Sequence, residues 1–169
     1  TTGDVIALNT WNHILVSGDL AAQTVKLYLN DISTTYSSGV LTNASINFTN
    51  AEHRVSASGG IKGRLAHVFL DYTYRNLATE SNRRLFIDSD GKPSSTIPSS
   101  PILYLPMTDA ATAGSNSGTG GDFTVNGVLD TAGRGPNQWN CSASKFDGVN
   151  DYLSSTLPYT PTYVVSFSM

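Results

Sequence analysis

The chain has 169 residues, of which 14% are charged, and a formal net charge of −3 at pH 7; this length suits one domain, or two that are small or incomplete. The charge balance disfavours nucleic-acid binding, because the nearest basic cluster is only the pair Arg83-Arg84. A single cysteine, Cys141, excludes an intrachain disulfide, and no run approaches the roughly 18 apolar residues of a membrane span.

The first third of the chain predicts short strands. Trp11 to Val16 is an apolar run, and Val25 to Leu29 alternates between apolar and polar residues, which is typical of a strand with one buried face. A short polar turn separates the two runs, and Asn30-Asp31 is a second turn signal. His53 to Ala57 is a weaker strand candidate.

The middle of the chain predicts one long strand and one short helix. Gly63 to Tyr74 is almost continuously apolar, which indicates a strand buried on both sides. Asn76 to Phe86 is the best helix candidate, because Leu77 and Leu85 would share an inward face.

The last third again predicts strands. Ile102 to Leu105 and Phe123 to Leu129 are strand candidates, and the loop from Ala110 to Gly121 is rich in Gly, Ser, Thr and Asn and is expected to be mobile. Ser144 to Leu153 reads as strand, turn and strand, with Asp147-Gly148 as the turn. Tyr163 to Phe167 begins a last strand.

Three blocks of sequence share a resemblance. They are Trp11 to Asp31, with its Trp-x-His and Leu-Tyr-x-Asn runs; Gly63 to Ala78; and Phe146 to Leu153, which reads Phe-Asp-Gly-Val-Asn-Asp-Tyr-Leu. Together they resemble laminin-G-like, concanavalin-A-like domains, which implies an all-β, antiparallel jelly-roll sandwich with one short helix. Ala66 and His67 depart from that pattern, because they stand where acidic residues are usual in the family.

The order of the blocks is unusual for that family, in which the Phe-Asp-Gly block opens the domain. We therefore expect residues 1–130 to be the later portion of one jelly roll and residues 138–169 to be the opening strands of a second. A circularly permuted domain, or strand exchange between chains, would also fit. The abrupt start and end predict a fragment of a larger protein. Runs within residues 86–127 resemble the tails of such domains in bacteriophage virion proteins.

Catalytic patterns are weak. A glycoside hydrolase of this fold class needs two carboxylates across the scissile bond, but the two glutamates, Glu52 and Glu80, lie in different segments without an acidic partner at a suitable spacing. No pair of histidines has a zinc-site spacing. The resemblance implies that Trp11 and His13 form a structural packing pair. We therefore predict that the chain is not an enzyme.

Two sets of residues are candidates for ligand contacts. Tyr74 and Trp139 are the aromatic residues expected to be exposed, as a glycan-binding surface requires. Asp147, Asn150 and Asp151 place hard oxygen atoms close together, as calcium prefers, although the same residues also form an ordinary structural turn. No cofactor is required, and calcium is the candidate ion.

The resemblance implies a non-catalytic structural or recognition module on a virion surface, such as a tail fibre or capsid decoration. Host glycans or other virion proteins are the expected partners, in a homo-oligomer, at a virion surface or otherwise extracellular. The alternatives are a secreted bacterial carbohydrate-binding or adhesin module and, less favoured, a glycoside hydrolase fragment. Nucleic-acid binding and membrane insertion are not expected.

Overall fold

The molecule is built of short β-strands with almost no helix, which confirms the all-β class. The computed structural model describes residues 6–7, 9–34, 41–44, 52–56, 60–94, 97–98, 100–134, 142–156 and 164–168. The strands of these ranges are β1 (Ile14–Asp19), β2 (Thr24–Leu29), β3 (Ile32–Ser33), β4 (His53–Val55), β5 (Lys62–Leu65), β6 (Val68–Asp71), β7 (Leu103–Leu105), β8 (Thr124–Asn126), β9 (Asp130–Arg134), β10 (Ser142–Asp147), β11 (Tyr152–Ser155) and β12 (Val164–Ser168). The helix α1 spans Glu80–Arg83, and a 3₁₀ turn spans Ala110–Thr112. None of the helices in the described ranges is long and apolar enough to cross a membrane.

The strands form three antiparallel sheets. The largest has six strands in the order β3-β2-β1-β12-β6-β7, and the two smaller sheets have the orders β5-β10-β9 and β4-β11-β8. Strands near the C-terminus pair with strands from residues 1–130 in every sheet: β12 lies between β1 and β6, β10 pairs with β5, and β11 pairs with β4. The division of the chain at residues 130 and 138 stays a prediction.

The β2–β3 hairpin confirms the second predicted turn. Asn30 and Asp31 have φ angles of 51° and 64°, and Leu29 pairs with Ile32 across them. Two successive positive φ angles in a two-residue loop define a type I′ turn, whose twist matches that of the flanking strands. Asn and Asp tolerate this backbone region better than other non-glycine residues.

The predicted strand from Gly63 to Tyr74 is wrong as a single element. It divides into β5 and β6, which belong to different sheets, and His67 between them has a φ of 56°. The break shifts the alternation of side chains, so Leu65 and Val68 pack in the same apolar cluster while Arg64 is exposed. The prediction of burial on both sides holds for β6 alone.

Three other parts of the chain differ from the prediction: two elements are shorter, and one pair of strands is paired differently. The helix begins at Glu80 rather than Asn76, because the Asn76 side chain accepts a hydrogen bond from the Ala78 amide at 3.1 Å and holds a turn there. The first strand begins at Ile14, so Trp11 precedes it. β10 and β11, on either side of Asp147-Gly148, join different sheets instead of pairing as a hairpin.

Two apolar clusters flank strand β6. Val68 belongs to a cluster that contains residues of all three sheets, among them Leu105, Phe146 and Leu153. The next residue, Phe69, points to the opposite face, where its cluster also contains Leu15, Tyr28, Leu77 and Phe86. The Phe69 and Phe86 rings meet edge to face, with centroids 5.0 Å apart. The segment around α1 therefore covers the second face of the six-stranded sheet.

The loop from Ala110 to Gly121, expected to be mobile, is extensively hydrogen-bonded. The Asn116 side chain donates to the carbonyl oxygens of Ile102 and Gly120 at 3.1 and 2.6 Å, and accepts from the amides of Tyr104 and Gly118 at 2.8 Å each. One half-buried amide side chain thus ties the loop to strand β7 and replaces the hydrogen bonds that a sheet neighbour would supply.

Candidate functional site

A cleft of about 210 Å³ opens where the chain breaks between β5 and β6. Its walls are formed by residues 10–14, Asn30, residues 64–67, Phe86, Gly91 and Pro93. Apolar and aromatic surface, including the half-buried Trp11, therefore meets several polar side chains in one concavity. Such a combination is the usual starting point for a ligand site.

The wall before β1 is held by reciprocal hydrogen bonds with the β2–β3 turn. The Asn30 side-chain oxygen accepts from the His13 amide at 2.7 Å, and the Asn30 amide donates to the His13 carbonyl at 2.8 Å. The Asn30 side chain also donates to the Asn12 side-chain oxygen at 3.2 Å. Asn30, whose backbone is left-handed, thus makes three hydrogen bonds to Asn12 and His13. They fix the position of the segment that carries Trp11 and His13.

The opposite wall carries His67 in a left-handed conformation. Its amide donates to the Pro106 carbonyl at 3.3 Å, and its Nδ1 lies 2.9 Å from the Tyr104 hydroxyl. Its Nε2 is buried and has no hydrogen-bond partner among the described residues. A non-glycine residue in this backbone region costs energy, and such residues concentrate at functional sites.

Burial keeps both histidines of the cleft neutral at pH 7. It lowers the pKa of His13 to about 4, opposed by the nearby negative charge of Asp31 and reinforced by His67. Burial also lowers the pKa of His67 below its usual range. Neutral imidazoles can each donate and accept one hydrogen bond, so the two rings offer hydrogen bonds rather than charge to a ligand.

The carboxylate of Asp31 lies beside the cleft but is already engaged by α1 and the residue after it. Its two oxygens contact Arg83 at 2.6 Å and Arg84 at 2.7 Å. Burial raises the pKa of Asp31, but the hydrogen bonds and charges of Arg84 and Arg83 outweigh it, so the pKa lies below its usual range. Arg83 also stacks 4.7 Å from the centre of the Tyr28 ring. These contacts of Asp31, Arg83 and Arg84 hold the type I′ turn against α1.

Tyr74, one of the two predicted aromatic contacts, does not lie in this cleft. Tyr74 is half-buried beyond the end of β6 and is absent from the walls, and Trp139 lies outside the described residues. Sequence reasoning instead missed Arg64 and His67 as site residues. One signal could have found the second: Ala66 and His67 were the departures from the acidic pattern of the resembled family, and both line the cleft.

The predicted calcium residues form a hydrogen-bonded turn after β10. Asp151 is 1% exposed, and its two oxygens accept from the amides of Val128 at 3.0 Å and Asp147 at 2.9 Å. Asp147 in turn accepts from the Val149 amide at 2.7 Å. Asn150 is exposed. The described contacts of Asp151 are those of a buried carboxylate that satisfies backbone donors, and calcium binding stays a prediction.

Within the part of the chain that the structure describes, no group of three His, Cys, Asp or Glu side chains is placed to hold a metal ion. Comparison with known proteins gave no match to a family model, to a curated protein or to a solved structure. The resemblance to laminin-G-like domains therefore stays a prediction that rests on the three sequence blocks.

Proposed function

We propose that this protein is a non-catalytic recognition module that binds a glycan in the cleft between Trp11 and His67. The observation that carries the proposal is the meeting of an aromatic ring with amide, imidazole and guanidinium groups in one small concavity. Sugars offer this complementary chemistry, because an aromatic ring packs on their C–H face while polar groups bind their hydroxyls. A volume near 210 Å³ is below the roughly 300–1,000 Å³ of drug-sized sites, and so suits a single sugar ring.

The absence of catalysis is part of the proposal. No carboxylate lines the cleft in the described ranges, and the nearby Asp31 is engaged by two arginines. Hydrolysis of a glycosidic bond uses two carboxyl groups that face each other across the bond. Binding without bond cleavage is the chemistry that these side chains support.

The proposed setting is a virion surface, in a tail fibre or capsid decoration, with the strands arranged as a concanavalin-A-like jelly-roll sandwich in a homo-oligomer. Support for the sandwich comes from the apolar cluster that contains residues of all three sheets, since side chains of facing sheets form such a core. Support for the setting comes from the resemblance of residues 86–127 to phage virion proteins.

Binding to a glycan array, followed by titration of the best ligand, tests this function. Trp11→Ala should weaken binding by tenfold or more, because stacking on the sugar face is lost. Tyr74→Ala is the matched control, since Tyr74 is also a half-buried aromatic residue but lies outside the cleft. Thermal melting of both variants checks that each is folded.

Three results would count against the proposal. Saturable binding that is lost in Tyr74→Ala but kept in Trp11→Ala would move the site to the surface around Tyr74. Binding to no glycan on the array would favour a purely structural virion module. Release of sugar from a bound glycan would revive the hydrolase alternative.

A further inference from the structure

We infer that the glycan bound in the cleft is an acidic one, whose carboxylate pairs with Arg64 and accepts a hydrogen bond from Nε2 of His67. This inference rests on the proposed function, because it names the class of sugar that the same cleft takes. Two independent features of the walls lead to it: a cation that has no counter-ion, and a buried polar atom that has no hydrogen-bond partner, among the residues that the structure describes.

The cation is Arg64, an exposed residue of β5 that lines the cleft. Its neighbour across the strand pair is another cation, Lys145. Lys145 has its own counter-ion, because its ammonium group lies 3.5 Å from the Asp130 carboxylate. Among the described residues no carboxylate forms an ion pair with Arg64. The facing cations Arg64 and Lys145 therefore have one described counter-ion for the two of them, the Asp130 carboxylate beside Lys145. Like charges directly opposite in a sheet are destabilising, and an anion beside Arg64 would relieve this.

The polar atom is Nε2 of His67. The Tyr104 hydroxyl lies 2.9 Å from Nδ1, and when that hydroxyl donates, Nδ1 is the acceptor and the proton of the neutral ring sits on Nε2. Nε2–H is then a buried donor that lacks an acceptor among the described residues. Buried donors in folded proteins nearly always have an acceptor, and a ligand oxygen would supply it after a small shift of the side chains that cover Nε2.

A carboxylate meets both requirements together. It is planar and has two oxygens, which match the planar donor edge of a guanidinium group. Both histidines are neutral at pH 7, so Arg64 is the only charged side chain among the described residues that line the cleft. A single sugar ring with one carboxylate, such as a uronic acid, would place its ring against Trp11 and its charge at Arg64.

Matched sugars that differ only at one carbon provide the test. Methyl glucuronide and methyl galacturonide carry a carboxylate where methyl glucoside and methyl galactoside carry a hydroxymethyl group. Titration calorimetry or NMR at pH 7 and low salt should show at least one acidic sugar bound about tenfold or more tightly than its neutral counterpart, as expected for a charge-assisted hydrogen bond. Raising the salt concentration should reduce this preference.

Variants assign the preference to its residues. Arg64→Gln should reduce the ratio of acidic to neutral affinity to nearly one, and Arg64→Lys should restore part of it, because a point charge lacks the bidentate geometry. His67→Gln should weaken acidic binding less than Arg64→Gln. Lys62→Gln is the matched control, since Lys62 is an exposed cation on the same strand but does not line the cleft.

The outcomes separate this inference from the proposed function. Equal binding of acidic and neutral sugars, lost in Trp11→Ala, would overturn the carboxylate inference and leave the glycan site in place. A preference that falls as much in Lys62→Gln as in Arg64→Gln would overturn the role of Arg64, because it would show only a general effect of surface charge. No binding of any sugar, here or on the array, would overturn both.

Discussion

The cleft beside His67 and the turn around Asp151 both contain polar groups withdrawn from water, but they use them differently. In the turn, both oxygens of the buried Asp151 carboxylate accept hydrogen bonds from backbone amides. In the cleft, Nε2 of His67 is buried with no partner among the described residues. Polar groups whose hydrogen bonds are met inside the protein stabilise its structure, whereas a buried group with an unmet hydrogen bond needs an explanation, of which a bound water, ion or ligand is one. A buried polar side chain therefore indicates a structural role or a candidate binding role according to where its hydrogen bonds go.

The largest effect is expected from removing the buried carboxylate of the turn. Asp151→Ala leaves two backbone amides without their acceptor, and hydrogen bonds to a charged group contribute about 1.5–3 kcal/mol each. The free energy of unfolding, measured by urea denaturation, should therefore fall by about 3 kcal/mol or more. Asp147→Ala is the control, because Asp147 is exposed and its side chain accepts a hydrogen bond from one amide among the described residues; its loss should cost about 1 kcal/mol.

The calcium hypothesis can be separated from this structural role in the same experiment. If Asp151 acts only through the two amides, its substitution should destabilise the protein equally with calcium and with a chelator. A wild-type melting temperature that rises with calcium, together with an Asp151→Ala defect seen only when calcium is present, would instead assign a metal to the turn.

The cleft should make the stability of the protein depend on pH. The pKa of His13 is about 4 in the folded protein and 6.5 ordinarily, so between these values the unfolded chain binds more protons than the folded one. Stability should therefore be highest above pH 6.5 and fall as the pH drops toward 4, by up to about 3 kcal/mol. Urea denaturation at a series of pH values measures this, and His13→Gln should flatten the profile. An unchanged profile in that variant would show that His13 is not the group responsible.

A smaller effect is expected from the ion pairs that support the cleft. Asp31 is 24% exposed and contacts two arginines, whereas Asp130 is 70% exposed and contacts Lys145 at 3.5 Å. Because water screens exposed pairs, Asp31→Asn should lower the free energy of unfolding by about 1 kcal/mol, and Asp130→Asn should change it by less than about 0.5 kcal/mol. Equal losses in thermal melting would contradict the view that Asp31 clamps the turn to α1.

Local patterns were sufficient for several features of the fold. Alternation predicted the strand at Val25 to Leu29, Asn30-Asp31 predicted the turn, and continuous apolarity predicted the double burial of β6. Each depends on neighbours along the chain, because side-chain period and turn preference are local properties. The cleft could not be predicted from such local patterns, because its walls come from separate segments between residues 10 and 93.

By itself the sequence determined the all-β class, the positions of most strands and the scarcity of helix, because these follow from hydrophobic period and backbone preference. Only the tertiary structure decided that the chain breaks at His67, where the Pro106 carbonyl and the Tyr104 hydroxyl hold a left-handed residue. Because of that break, the alternation of side chains shifts between β5 and β6, and the two strands belong to different sheets. Arg64 on β5 is then exposed beside the cleft. A hydrophobic pattern records which residues prefer burial, but it does not record which partners bury them.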